Sequence, residues 1–304
     1  MMKETLHRRG FLKAAGLAAA GSLAVDLRAG ARPAEGGGDP RPRLLSGCCA
    51  YSYGKYLGAG KMTMEEFILK AVELEIDGVD MTTYWLKSHE PAYLAGLRNF
   101  AYRHGMPFSG AAIGGEAVDL CKTADKRDAT VEAIKKWVDV AEALGASHLR
   151  VFGDHLPKGA TEAQGIEWIS ETMKPACEYS AKKGIILGIE THTEFSIKAS
   201  VIGEILHRVD SPFAGCNLDI SNFLDNPYEQ IEALIPSATH VHVRDFYNGE
   251  RKIPLDLDRV WQMFVKAGYQ GYMSVEYEAE EDPMTGVPKL AEKVKQLCHK
   301  YSSV

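Results

Sequence analysis

The sequence has no excess of positive charge. Its 35 Lys and Arg residues stand against 41 Asp and Glu residues, which gives a formal net charge of -6 at pH 7. A protein that binds nucleic acid needs a basic surface to neutralise the phosphates. We therefore expect no nucleic-acid partner for this chain.

Cysteine is scarce, and the cysteines are scattered. The chain has six of them, and none forms a C-x-x-C pair with another. Such pairs hold zinc in zinc ribbons, and dense cysteine frameworks hold small disulfide-linked folds. The sequence therefore predicts neither kind of protein, although it leaves a single disulfide open.

A long apolar run occurs only at the N-terminus. Residues 7–13 read HRRGFLK, with the adjacent basic residues Arg8 and Arg9, and the small apolar run AAGLAAAGSLAV follows at 14–25. This pattern resembles a twin-arginine export signal, which is removed after translocation. We predict that residues 1–31 are a signal peptide and that the mature protein is exported by the twin-arginine route to the periplasm or the cell surface.

The segment after the predicted signal is rich in Pro and Gly. Residues 32–42 read RPAEGGGDPRP, a composition typical of a flexible linker. No later apolar run approaches the roughly 20 residues that a membrane-spanning helix needs. We therefore expect no stable membrane insertion once the signal is removed.

From Arg43 onward, short apolar runs alternate with longer segments of helical periodicity, a pattern that predicts β-α units and a parallel sheet. We predict one α/β domain over residues 43–304, a single (β/α)8 TIM barrel. A doubly wound open sheet is the alternative, but no G-x-G-x-x-G motif follows the first strand. The eight predicted strands are 43–50, 78–84, 107–113, 147–153, 185–191, 215–221, 238–245 and 271–277.

Polar side chains share one face of each of the last four predicted strands. Side chains along a strand alternate between two faces, so that Leu187 and Ile189 in IILGIETH oppose Glu190 and His192. The three following strands repeat this pattern. In a barrel the aliphatic face packs against the surrounding helices, and the polar face points to the barrel axis. Near the C-terminal ends of these strands the inward residues are Glu190, Asp219, His242 and Glu276.

These four inward residues predict a metal site. Three carboxylates buried together repel one another and lose their hydration, and a divalent cation resolves both problems. A set of three carboxylates and one imidazole suits Mn, Mg, Co, Fe or Zn. Any one such residue alone is more often a cap, an ion-pair partner or a solvated residue. Their coincidence on consecutive strands and on one face therefore carries the prediction of one divalent metal ion.

The chain also resembles a known family, the xylose isomerase-like barrels of sugar phosphate isomerases and epimerases. The segments that carry the resemblance are GIETH (188–192), NLDISN (217–222), HVHVRD (240–245) and GYQGYMSVEYE (268–278), with LRVFGD (149–154) in support. The likeness covers residues 43 to 300. It implies the same four metal ligands as the alternation of the strands does. It also implies that Glu190 and Glu276 exchange protons with the sugar carbon.

The resemblance implies a mechanism and a substrate class. A cation would act as a Lewis acid on a hydroxyketone sugar and stabilise an enediolate, while Glu190 and Glu276 serve as base and acid. The chain departs from the family pattern at two positions. Asn222 stands where many relatives have His, and Arg244 stands where they often have Lys. Both changes affect the expected substrate more than the expected metal. The residues that we expect to bind substrate are His192, Asn222, His240, Arg244, Tyr53, Trp85 and His155.

The sequence therefore predicts a metal-dependent isomerase or epimerase of a keto or aldo sugar or a related polyol. A metal-dependent lyase or dehydratase acting on a keto sugar or glycoside stays open, as does a non-catalytic carbohydrate-binding protein. A multi-zinc endonuclease is disfavoured because the third-strand segment PFSGAAIGG contains no His. The predicted partner is a small-molecule sugar or sugar derivative. The oligomeric state is open, a homo-oligomer included.

Overall fold

A computed structural model of the chain describes residues 42–113, 119–153, 155–192 and 195–302. The predicted signal peptide, the predicted linker up to Arg41, and Asp154 of the LRVFGD segment lie outside these residues. Across the described ranges, no helix is both long and apolar enough to cross a membrane.

Eight parallel strands close into one barrel, in which each strand pairs with its neighbours in the sequence and the last pairs with the first. This confirms the predicted (β/α)8 TIM barrel. The strands are β1 (Leu44–Cys49), β2 (Gly78–Thr82), β3 (Phe108–Ala112), β4 (His148–Val151), β5 (Ile186–Glu190), β6 (Ala214–Asp219), β7 (Ala238–Val243) and β8 (Gly271–Val275).

Most of the predicted strands run one or two residues too long. The apolar alternation continues into the loops, but the chain turns away from the sheet there. After β1 it forms a 3-10 turn, Ala50–Tyr53, and a short helix, Gly54–Leu57; after β2 it forms the 3-10 turn Thr83–Trp85. A small antiparallel ribbon, Phe246–Tyr247 with Ile253–Pro254, follows β7.

One main helix follows each strand. The helices are α1 (Met64–Glu73), α2 (Pro91–Arg103), α3 (Ala124–Leu144), α4 (Glu162–Ala181), α5 (Ala199–Val209), α6 (Pro227–Leu234), α7 (Leu257–Lys266) and α8 (Pro283–Tyr301). Thr63 and Glu66 form a capping box at the start of α1, so each satisfies a backbone N–H that the first turn leaves unpaired. Gly145 ends α3 with a φ of 82°, a left-handed conformation that glycine adopts without steric cost.

The aliphatic faces of the strands form the core between the barrel and the helices. Leu187, Ile189, Leu218 and Val241 are fully buried there, as the alternation predicts. All six cysteines lie among the described residues, and all are buried free thiols, so the single disulfide that the sequence left open does not form. Burial raises the pKa of the Cys48 thiol to about 12, which keeps it protonated and unreactive at neutral pH.

The inside of the barrel holds a layer of imidazoles below the C-terminal strand ends. The rings of His148 and His240 stack there with their centroids 5.1 Å apart. Gly188 leaves room for this layer, because a Cβ at that position would lie 2.2 Å from Nε2 of His148. Because Gly188 has no side chain, the imidazole rings can fill the barrel beneath Glu190, the next inward-facing residue of β5.

Candidate active site

The C-terminal ends of β5 to β8 bring the four predicted metal ligands together. Glu190 and Asp219 are the last residues of their strands, His242 is next to last in β7, and Glu276 follows β8 directly. Each side chain offers one ligand atom, and these atoms all lie within 4.8 Å of one another. All four side chains are buried. The inward face that the sequence predicts is therefore a single cluster, hereafter the carboxylate cluster.

The two nitrogens of His242 face different partners. Its Nδ1 lies 3.0 Å from Oε1 of Glu190 and 3.4 Å from Oε2 of Glu276. Its Nε2 lies 2.8 Å from Oδ2 of Asp80, which is buried on β2. A carboxylate on the far nitrogen of an imidazole fixes the orientation of the ring and the tautomer that binds metal. Asp80 therefore directs Nδ1 into the carboxylate cluster.

Arg150 on β4 enters the cluster from the opposite side. Its Nη1 lies 3.2 Å from Oε1 of Glu190 and 3.3 Å from Oε1 of Glu276. Its Nη2 donates a hydrogen bond of 2.8 Å to the hydroxyl of Tyr84, and the guanidinium lies over the ring of Phe152 at 4.5 Å. This buried cation thus contacts both of the carboxylates that we predict to transfer protons.

Arg244 and Asn222 enclose Asp219. The Arg244 guanidinium donates to Asp219 and Glu278, and its Nη2 lies 3.4 Å from Oε2 of Glu276. Asn222 donates a hydrogen bond of 2.8 Å to Oδ2 of Asp219 and accepts one of 3.0 Å from Arg244. Two arginines thus share the neutralisation of the buried carboxylates.

The pKa values of Glu276 and His242 show how strongly the cluster attracts positive charge, whereas burial outweighs Arg244 at Asp219 and raises the pKa of that carboxyl. Burial opposes ionisation of Glu276, but the charges of His242, Arg244 and Arg150 outweigh it and hold the pKa of this carboxyl well below its usual value. Burial also opposes protonation of His242, yet Glu276, Asp80 and Glu190 raise the pKa of this imidazole well above its usual value. In this arrangement His242 carries the proton that the surrounding carboxylates favour.

The donor set fits a divalent cation. Three carboxylates and an imidazole nitrogen converge, and Oε2 of Glu190 is buried with no hydrogen-bond partner among the residues that the structure describes. An orphaned buried carboxylate oxygen is costly unless a cation or a donor satisfies it. A divalent ion held by these four side chains would supply that charge.

A second group of potential ligands shares His242 with the carboxylate cluster. It consists of Cys49, Asp80 and the Nε2 side of His242. Burial raises the pKa of Cys49 well above its usual value, and a metal needs the thiolate form. Since Asp80 already occupies Nε2, the geometry favours the carboxylate cluster as the metal site.

A cavity of about 510 Å³ opens over the cluster. Glu190 and Glu276 lie at its floor, and the predicted substrate-binding residues His192, Asn222 and Arg244 line it. The ring of His192 packs on Phe152 with the centroids 4.8 Å apart. Trp85, another predicted residue, lines an adjoining cavity.

Three predicted substrate-binding residues do not line these cavities. Tyr53 lies in the 3-10 turn after β1 and is fully buried with its ring against Phe67. Tyr51, from the same turn, lines the cavity instead. His240 lies inside the barrel, with its Nε2 3.7 Å from Asp80. The side chain of His155 is 66% exposed, and its Nδ1 lies 3.9 Å from Asp119.

Sequence reasoning missed Asp80 and Arg150, although each had a signal. Asp80 is an acidic residue inside the apolar strand GVDMT, and Arg150 alternates with the aliphatic Leu149 and Val151. Applying the alternation to β2 and β4 as well as to β5 to β8 would have placed both side chains inside the barrel.

A larger groove, of about 720 Å³, lies at the opposite end of the barrel. It is lined by residues at or before the starts of β3 and β4, among them Met106, Phe108 and Leu144. Active sites of TIM barrels lie at the C-terminal ends of the strands, and this groove holds no cluster of titratable groups among the residues that line it. We therefore place the active site at the smaller cavity over the carboxylate cluster.

Comparison with known proteins agrees with this architecture. A family model described as a xylose isomerase-like TIM barrel matches residues 68–297. No curated protein matches the chain in sequence.

Solved structures share the fold at low sequence identity. A D-psicose 3-epimerase from Clostridium cellulolyticum H10, solved with D-tagatose, has a TM-score of 0.70 and 14% identity, covering 84% of this chain and 99% of that one. A 3-keto-D-glucoside 4-epimerase from E. coli has a TM-score of 0.67 and 14% identity, covering 84% and 100%. A probable 3-DHS dehydratase from Bacillus anthracis has a TM-score of 0.66 and 15% identity, covering 83% and 98%.

Proposed function

The chain belongs to the xylose isomerase-like TIM barrel family, and on that basis we propose that it is a metal-dependent isomerase or epimerase acting on a keto or aldo sugar or a related polyol. The observation that carries this proposal is the convergence of three carboxylates and one imidazole within 4.8 Å at the floor of a cavity. Two structural neighbours are sugar epimerases, which supports the same class of reaction.

Glu190, Asp219, His242 and Glu276 would hold the metal. When bound, a divalent cation would supply Lewis-acid stabilisation of the charge that develops on the substrate's carbonyl oxygen. The protein's own contribution is the transfer of a proton at the carbon next to that carbonyl. One of the two glutamates removes the proton as a carboxylate, and the other, as a carboxylic acid, returns one from the opposite face of the sugar.

Arg150 contacts both glutamates and favours the carboxylate form of each. Burial opposes ionisation of Glu190, but the charge of Arg150 outweighs it, with His242, and lowers the pKa of this carboxyl. The same guanidinium lies within 3.3 Å of Glu276. Arg150 is thus placed to hold the resting carboxylate ionised and to hydrogen-bond oxygens that gain negative charge during the reaction.

Exchange of substrate hydrogen with solvent tests this proposal. Metal-loaded protein should release deuterium from ketoses labelled next to the carbonyl. Of Glu190→Gln and Glu276→Gln, the variant that lacks the base should abolish the release, and bound metal is measured alongside. Glu232→Gln, an exposed residue on α6, is the matched control and should exchange at the wild-type rate. Wild-type exchange in both active-site variants would overturn the assignment of proton transfer to these glutamates.

A lyase or dehydratase is the second candidate function, and the dehydratase among the structural neighbours favours it. It would begin with the same proton removal and then expel an oxygen substituent from the β carbon. A keto-glycoside would release its aglycone under this hypothesis and would yield only rearranged sugar under the first. A carbohydrate-binding protein without catalysis would bind sugars and leave the deuterium in place.

A further inference from the structure

A second cavity, of about 530 Å³, adjoins the active-site cavity. Tyr51 and Glu278 line both, so the two spaces meet at these side chains. We refer to the space beyond them as the outer cavity. The active-site cavity alone lies within the size range of small-molecule sites, and the outer cavity roughly doubles the space for a ligand that reaches the carboxylate cluster.

An aromatic wall connects the two cavities. The rings of Tyr51 and Trp85 are stacked, with centroids 5.7 Å apart and planes at 24°. Tyr84, which lines the active-site cavity, meets Trp85 edge-on at 5.3 Å. Both tyrosines are 37% exposed. The wall thus presents ring surface from the cluster outward, and the apolar C–H face of a sugar ring can bury area against it.

The backbone fixes the position of Trp85. It packs against the short helix Gly54–Leu57, where a Cβ on Gly54 would lie 2.8 Å from the indole ring. The glycine therefore allows the indole to lie against the backbone of the turn. Because Tyr51 and the turn at Gly54 hold this half-buried ring in place, a ligand that contacts its exposed part costs little side-chain entropy.

The charged side chains around the outer cavity are already paired with one another or with neighbours. Three glutamates, Glu278, Glu280 and Glu281, line it, against one cation, Lys55. The Lys55 ammonium is already bonded to Asp282 at 3.0 Å. Glu278 pairs with Arg244, Glu280 with Lys252 and Glu281 with Lys289. The lining therefore offers a phosphate or carboxylate no unpaired cation among the described residues, whereas sugar hydroxyls can donate hydrogen bonds to the carboxylates.

We propose that the outer cavity is a subsite for a neutral glycosyl group, so that the substrate is a keto sugar carrying a second sugar ring. The keto sugar lies over Glu190 and Glu276, and the second ring stacks on Tyr51 and Trp85. This inference rests on the proposed function, because it takes the carboxylate cluster as the place of reaction. The expected substrates are therefore glycosides or disaccharides and not sugar phosphates.

Binding measurements on metal-loaded protein test the subsite without turnover. The probes are D-fructose, D-fructose 6-phosphate, and two disaccharides that carry a sugar on fructose at different positions, lactulose and isomaltulose. We expect at least one disaccharide to bind about 3- to 10-fold more tightly than fructose, the change expected for one aromatic stacking contact. Tyr51→Ala and Trp85→Ala should remove this gain, because each should weaken disaccharide binding more than fructose binding.

The controls separate the subsite from the fold. Tyr102→Ala removes an aromatic ring that is 83% exposed at the other end of the barrel, and it should bind every probe as the wild type does. Trp85→Phe keeps an aromatic surface and should retain part of the gain even if Trp85→Ala disturbs the turn. Disaccharides that bind no more tightly than fructose, a preference for the phosphate, or a gain that survives both alanine variants would overturn the proposal.

The deuterium exchange assay on the same samples separates this inference from the proposed function. Protein that prefers a disaccharide through Tyr51 and Trp85 but exchanges no deuterium would contradict the proposed reaction and keep the subsite. Protein that exchanges deuterium from free ketoses and shows no preference for a glycosyl group would keep the reaction and overturn the subsite.

Discussion

Asp80 holds His242 by its far nitrogen. Oδ2 of Asp80 accepts a hydrogen bond of 2.8 Å from Nε2 of His242, across the barrel from β7 to β2. With Nε2 held by Asp80, the other ring nitrogen, Nδ1, faces Glu190 and Glu276. Asp80 is not itself part of the carboxylate cluster, but its hydrogen bond determines that Nδ1 of His242, and not Nε2, points into the cluster.

We expect Asp80→Asn to weaken metal binding about 10- to 100-fold, the usual effect of losing such a partner. The amide of Asn can donate to Nε2 and so favour the tautomer with its proton on Nδ1, which blocks the metal-facing nitrogen. Titration calorimetry with Mn²⁺ measures the affinity. Asp128→Asn, at an exposed position of α3, is the matched control. An unchanged affinity in Asp80→Asn would show that this hydrogen bond does not position the ring.

Arg150 and a bound cation should stabilise the same carboxylates. Arg150→Met leaves Glu190 and Glu276 without their shared guanidinium, and removing one partner of a buried ion pair costs about 3–5 kcal/mol. We expect the variant to melt well below the wild type in EDTA and to recover much of the difference with excess Mn²⁺, because binding to the folded state stabilises it.

Arg127→Met is the control for this measurement. Arg127 pairs with Glu171 between α3 and α4, and the two side chains are 26% and 40% exposed. Surface pairs of this kind contribute about 0–1 kcal/mol, so the control should melt near the wild type in either buffer. An Arg150→Met deficit of the same size with and without Mn²⁺ would show that the cation and the arginine do not act on the same charges.

The sequence predicts the barrel from the alternation of strand and helix segments, and it predicts the carboxylate cluster from the rule that side chains alternate along a strand. The rule works for Glu190 because β5 is regular up to that residue. The prediction for Tyr53 rests instead on its place just beyond a strand end, which does not fix the direction of a side chain in the 3-10 turn after β1. Asp80 and Arg150 obey the rule, but their partners are distant in the sequence and nothing in the spacing reveals the contact. Ion pairs between strands on different sides of a barrel can be identified only from the three-dimensional structure.

The export signal remains a prediction from residues 1–31. Expressed with a twin-arginine translocase, the full chain should appear in the exported fraction with a new N-terminus near Arg32. Replacing Arg8 and Arg9 together by Lys should retain it in the cytoplasm, since that route reads the arginine pair itself. Arg41→Lys, a matched change outside the pair, should leave export intact. Equal export of the double variant would argue for another route or for none.

The imidazole layer under the carboxylate cluster should make any side chain at position 188 destabilising. A Cβ there would lie 2.2 Å from Nε2 of His148 and 3.3 Å from the backbone nitrogen of Asn217. We expect Gly188→Ala to lower the free energy of unfolding by about 1–3 kcal/mol, the usual cost of overpacking a core. Gly203→Ala is the opposite case, because no atom lies within 4 Å of the added Cβ on α5. It should raise the stability by about 0.5–1 kcal/mol, since glycine is a poor helix former. Urea denaturation monitored by circular dichroism measures both, and a Gly188→Ala variant as stable as the wild type would mean that His148 can move aside.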